Sequence, residues 1–181
     1  MAMKTVMRAG LAALLLSGPL WVGAAHAEVT DKSAAGFEVT EKATIAASPG
    51  KVWDTLMHPA HWWSPAHTYS HDAKNLSFDG SGCFCETLKR GAVRHMTIVY
   101  ADGSTQLRLF GALGPLQTTG ASGHLAVTLK PAGAGTDVVM TYDAGGYAKG
   151  GLAEVYAAPV DRVLGEQLAR LKKAVETGKP D

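Results

Sequence analysis

"FEVTEKATIAASPGKVWDTLMHPAHWW" occupies residues 37–63. Its first eleven residues alternate between apolar and polar, which predicts a strand with Val39, Ala43 and Ile45 on its inner face. Ser48-Pro49 then predicts a helix start, because serine accepts from free amides at a helix N-terminus and proline suits the first helical position. Val52, Leu56 and Met57 follow at helical spacing, with Trp53 beside them. His58-Pro59 ends that helix, since the residue before proline is pushed out of the helical region. A second short helical turn is expected over residues 60–63.

Downstream of residue 72 the punctuation becomes that of an antiparallel sheet. Strands are expected at residues 75–78, 82–88, 92–101, 105–113, 122–130 and 136–144. "LKRG", "ADGS" and "PAGAG" hold the glycine chemistry of tight hairpins. "GALGPLQTTG" is longer and contains Pro115, which cannot donate to a ladder, so an edge crossing or bulge is expected there. The last segment changes period: Leu152, Val155, Tyr156, Val160, Val163, Leu164, Leu168, Leu171 and Val175 recur at three and four residues, as in one long amphipathic helix. Pro159 falls either in its first turn or at a kink, and Gly178 is a natural stop.

The fold class is therefore α+β, with a curved antiparallel sheet of about seven strands. One face of that sheet needs cover, and the helix over residues 158–177 is the only element long enough to supply it. Wrapping a sheet around a single helix leaves a gap. Closure is expected from the short helices after the first strand and from the glycine-rich "DAGGYAKGG" before the last helix.

Outside this frame, Lys4 and Arg8 precede an apolar run that closes on Ala25-His26-Ala27, which predicts a secretory leader over residues 1–27 cleaved after Ala27. The run is interrupted by Pro19 and falls short of the ~20 apolar residues that span a bilayer. No later segment is long and apolar enough to do so. A periplasmic or secreted location follows, with a loose lead over residues 28–36 and one domain over residues 37–178. The leader holds two of the 17 basic residues and none of the 16 acidic ones, so the mature chain carries a net charge of about −1. That balance gives no support for nucleic-acid or anionic-lipid partners, which need a basic face. Cys83 and Cys85 are separated by one residue, and an extended strand would hold their Cα atoms about 6.5 to 7 Å apart, so a bridge between them is expected to be strained if it forms.

The order of elements, led by "VTEKATIAASPGKVWDTLMHPAHWW", resembles the START-like superfamily, also called SRPBCC. The resemblance covers nearly the whole expected mature chain and implies a helix-grip fold, a curved seven-stranded sheet around a C-terminal helix. "WWSPAHTYS", "GCFCE", "GALGPL" and "PVDRVLGEQLARLKKAVETG" are similar to an exported bacterial subgroup related to polyketide cyclase-like and chaperone-activator-like domains. It implies a ligand cavity and names no occupant.

"HPAHWWSPAHTYSHD", residues 58–72, concentrates the candidate chemistry. A metal reading would combine His58, His61, His67 and His71 with the cysteines and His95, but Pro65 argues for irregular backbone and Cys-x-Cys lacks the usual ligand spacing, so neither metal nor cofactor is expected. A catalytic reading pairs Glu86 with His95: a two-residue turn at Arg90-Gly91 sets them opposite each other, whereas a slip of one residue sets Cys85 opposite His95. A cross-strand polar pair that fixes register is the structural alternative. A pocket reading uses Trp62, Trp63 and Tyr69 as cavity walls, His67 and His71 as rim donors, and Arg108, Tyr142 and Tyr147 as further lining. Val160, Leu164, Leu168 and Trp53 are expected in the core.

The expected function is an exported binding protein, a monomer or weak dimer, holding a small hydrophobic or aromatic molecule. An enzyme of the cyclase or aromatase type, using the Glu86–His95 pair or His67 as acid-base groups, is the alternative. A chaperone-activator-like interaction module comes third, because that partner is cytosolic.

Overall fold

The computed structural model describes residues 26–181. Most of the expected leader, up to residue 25, lies outside the described residues. Eight strands form one antiparallel sheet: β1 (His26–Lys32), β2 (Gly36–Ile45), β3 (Leu76–Phe78), β4 (Cys83–Leu88), β5 (Gly91–Asp102), β6 (Gln106–Gly111), β7 (Gly120–Ala132) and β8 (Gly135–Tyr147). Their spatial order is β1-β2-β8-β7-β6-β5-β4-β3. Helix α1 (Pro49–Leu56) and three 3₁₀ turns lie between β2 and β3, and the long helix α2 (Leu152–Thr177) closes the chain. This is the helix-grip architecture.

The eighth strand is a correction to the sequence reading. Residues 28–32 of the expected loose lead, together with His26 and Ala27 of the expected leader, form β1, which pairs with β2 from His26 opposite Lys42 to Lys32 opposite Phe37. Glu28, Thr30 and Asp31 gave no apolar alternation because β1 is an edge strand with exposed residues there.

Local chemistry at the start of the chain follows the expected rules. The Ser48 hydroxyl accepts from the amide of Lys51, and Pro49 opens α1. Val52 and Leu56 are the buried residues of α1. Helix α2 runs through Pro159, so the proline is interior and the carbonyl of Val155 loses its helical donor. Gly178, at φ 79°, ends the helix and donates its amide to Ala174 O.

Leu164, Leu168, Leu171 and Val175 of α2 are buried in one core with Val39 of β2, Val138 and Met140 of β8, and Leu125, Val127 and Leu129 of β7. The helix thus covers the concave face of the sheet, as the three-and-four spacing of its apolar residues requires. Tyr142 is fully buried in the same core and donates its hydroxyl to Gly111 O. The neighbouring strand needs a glycine at 123, because a Cβ there would come within 2.2 Å of Asp143 O and 2.9 Å of the Tyr142 ring.

Candidate functional site

The α2 side of the molecule pins down the segment between α1 and β3. Arg170 Nε donates to Trp62 O at 2.9 Å, the Ser64 amide donates to Gln167 Oε1 at 2.8 Å, and His67 Nε2 meets Glu166 Oε2 at 2.9 Å. The backbone of this irregular stretch is thereby tied to one helix face, which replaces the bonds that regular structure would supply.

Beneath it lies a cavity of about 420 Å³. Trp63, His67 and Tyr69 form one wall, Phe84 and His95 of β4 and β5 form the floor, and residues 113–116 form a second wall. Helix α2 supplies Tyr156, Val160, Val163 and Leu164. The lining is mostly apolar. Its buried polar members are Thr68, whose hydroxyl donates to Pro65 O, and His95.

Glu86 sits directly behind His95. Its carboxylate is fully buried and accepts from the Tyr69 amide at 3.1 Å, from the Ser70 amide at 2.5 Å and from His95 Nε2 at 2.9 Å. Burial pushes its pKa up, but the hydrogen bonds from Ser70, Tyr69 and His95 together outweigh burial and hold it below the ordinary carboxylate value. Burial also pushes the His95 pKa down, against the opposing pull of Glu86. The pair is thus a carboxylate and a neutral imidazole. A carboxylate only accepts, so the proton sits on Nε2 and Nδ1 carries the free lone pair. The Tyr69 ring stacks on His95 with centroids 5.9 Å apart, and its hydroxyl donates to Gly114 O, which links the two walls.

The pairing register differs from both sequence alternatives. The turn residues are Lys89 and Arg90, so Glu86 lies opposite Val93 and Cys85 opposite Arg94. A bulge between Phe84 and Cys85 makes His95 the extra residue, and His95 and Met96 are consecutively buried. The bulge turns His95 inward beside Glu86 without direct pairing.

Of the residues singled out in the sequence, Trp63, His67, Tyr69 and His95 line the cavity. Five others lie elsewhere. Trp62 is buried in the core and donates to Leu56 O. His71 is exposed, at φ 57°. Arg108 packs on the exposed Tyr100 ring, 4.1 Å from its centroid, on the outer face of the sheet. Tyr142 is sealed in the core, and Tyr147 is 74% exposed. Leu164 is in the core as expected and Val160 packs against it, and both also line the cavity. The "DAGGYAKGG" segment does not line it; residues 113–116 close the gap instead. The proline and glycine of "GALGPL" were the available signal, since they allow a turn that folds back over the floor.

Cys83 and Cys85 are bridged, with Cα atoms 5.3 Å apart. That is shorter than a regular strand gives, because the β4–β5 pairing is irregular at this point. His58 and His61 stack on each other, away from the cavity lining.

Residues 36–176 match the family model described as polyketide cyclase / dehydrase and lipid transport. The chain belongs to that family. Solved structures share the fold of this family member at low identity. A conserved protein of unknown function from Enterococcus faecalis is 15% identical, with a TM-score of 0.55 over 85% of this chain and 78% of that one. The Aha1 dimer from Colwellia psychrerythraea is 17% identical, with a TM-score of 0.51 over 78% and 98%. CalU16 from Micromonospora echinospora is 12% identical, with a TM-score of 0.52 over 81% and 78%. No curated protein matches the chain.

Proposed function

We propose that the protein binds a small hydrophobic or aromatic molecule in the cavity between α2 and the sheet. The observation that carries this reading is a mostly apolar space of about 420 Å³ with a buried imidazole, His95, in its floor. That volume suits a compact organic molecule, and apolar walls with a few fixed polar groups are the usual composition of such sites. The Nδ1 lone pair of His95 favours a ligand that presents a hydroxyl or another hydrogen-bond donor.

A second reading rests on the Glu86–His95 pair. A neutral imidazole backed by a buried carboxylate is arranged to accept a proton from a bound molecule, as a general base does. Export belongs to the same proposal, supported by the leader pattern of residues 1–27.

Native mass spectrometry of protein purified from its own host tests the binding reading. A retained organic mass, lost in Val163→Trp, supports it. No retained mass, together with equal uptake of a fluorescent apolar probe by wild type and Val163→Trp, would sink it.

A further inference from the structure

A second cluster lies outside the cavity, between β2 and α2. The inner face of β2 carries Phe37, Val39 and Ile45, all buried, and Glu41 in the middle of that series. Glu41 is fully buried, and among the described residues no N–H or hydroxyl donor reaches its carboxylate oxygens; its polar neighbour is the Asp161 carboxyl, with which it shares a hydrogen bond when one of the two is protonated. Asp161 of α2 packs against it and has its own Oδ1 buried and unpartnered. Once both carboxyls are ionised the acceptors are bare, which is costly, so an outside donor is expected above the pH at which that shared proton leaves.

An open groove of about 550 Å³ runs over the pair. The small residues Ala158, Gly165 and Ala169 line it together with Arg162 and Glu166. Asp161 is the charged group that acts on Glu41; Arg162 and Glu166, the latter paired with His67, also line the groove, and the neighbouring inner residues of β8, Val138, Met140 and Tyr142, are core residues. The groove is net acidic. Three unpartnered oxygens match the three N–H donors of a primary ammonium, and the small residues leave room for a carbon tail.

We propose that the Glu41–Asp161 groove binds a primary ammonium group. Turning the half-buried Asp161 side chain opens Glu41 to it. Two sources share this chemistry. One is a small alkylamine. The other is the chain itself: β1 sets Ala27 opposite Glu41 and Glu28 opposite Thr40, so cleavage after Ala27 creates an α-ammonium one residue away. The second source alone rests on the export reading; neither depends on the cavity.

Burial, and then the neighbouring Asp161, raise the Glu41 pKa to about 7. Binding therefore displaces a proton below that pH, and apparent affinity is expected to fall about tenfold per pH unit.

The test is a thermal-shift titration at pH 8 with n-butylammonium chloride, and with tetramethylammonium and magnesium chlorides at equal ionic strength. The N-terminal residue of the protein is fixed first by intact mass. A rise in Tm with butylammonium alone, lost in Glu41→Gln and in Asp161→Asn, identifies a small amine. If protein beginning at Glu28 shows no rise, but its α-amino group titrates above the ordinary ~8 and returns there in Glu41→Gln, the terminus is the occupant. The proposal is overturned if neither signature is seen, or if tetramethylammonium or magnesium acts as well as butylammonium. Glu41→Gln keeps the side chain's shape and removes a buried charge, so the variant is expected to fold.

Discussion

Glu86→Gln tests whether the buried carboxylate holds the cavity wall in place. Glu86 accepts from two backbone amides and from His95 Nε2. A glutamine offers one oxygen and one NH₂ in place of two oxygens. With its oxygen toward Ser70, the NH₂ faces the Tyr69 amide; with its oxygen toward Tyr69 and His95, the NH₂ faces the Ser70 amide. Either way one backbone amide loses its acceptor, at about 1–3 kcal/mol, and the surviving bonds lose charge assistance. The total is about 2–4 kcal/mol, or a fall in Tm of roughly 5–15 °C for a chain of this size. Urea denaturation at pH 7 measures it. Because the folded pKa of Glu86 is depressed, its stabilisation is present above the unfolded carboxylate pKa and is lost as pH falls through the folded value. The gap between wild type and variant should therefore shrink toward pH 3. A gap under about 0.5 kcal/mol at pH 7, or one that widens on acidification, refutes the reasoning.

Further outcomes follow from the same contacts. Burial lowers the His95 pKa, so an NMR titration should place its midpoint below ~6.5, and stability should fall as pH drops through that reference value, because the unfolded chain takes up a proton first. Glu41 has the opposite sign: its folded pKa of about 7 means stability present at acid pH is lost as pH rises through 7, so Glu41→Gln should be about 3 kcal/mol more stable than wild type at pH 8 and equal to it near pH 4, by denaturant melts without added amine. Gln167→Leu strips the Ser64 amide of its acceptor and should cost about 1–3 kcal/mol, with faster hydrogen exchange at Ser64. Replacing both Cys83 and Cys85 with serine opens a loop of only three residues, so loop entropy predicts a loss of about 1.6 kcal/mol in urea melts.

The fold was legible because its signals are local. The Ser48-Pro49 start, the hairpin turns and the three-and-four spacing of α2 each act within a few residues. The site was legible only in part, because its geometry depends on contacts between distant segments. Trp62 and Trp63 are adjacent, chemically alike and both buried, yet only Trp63 lines the cavity; Trp62 donates to Leu56 O and Trp63 to His67 O, contacts that adjacency in sequence does not reveal. Glu41 is readable in the sequence, since it occupies an inner position in the alternation of Phe37, Val39 and Ile45, where a charge needs an explanation.

The β4–β5 hairpin shows why spacing alone could not place Glu86 and His95. An uninterrupted ladder with the observed Lys89-Arg90 turn would put Arg94 opposite Cys85 and His95 opposite Phe84. The bulge instead leaves Met96 opposite Phe84 and inserts His95 between two paired residues. Two consecutive side chains then face inward, which a strand's two-residue period forbids and a bulge permits. Met96 can fill the core while His95 reaches Glu86, so a polar pair enters an apolar floor without displacing a core residue. Glu86 in turn accepts from the Tyr69 and Ser70 amides, which no regular strand or helix partner serves. One inserted residue thus joins the sheet floor to the irregular wall above it, and a deletion at His95 should abolish both the pair and the wall while leaving the hairpin able to form.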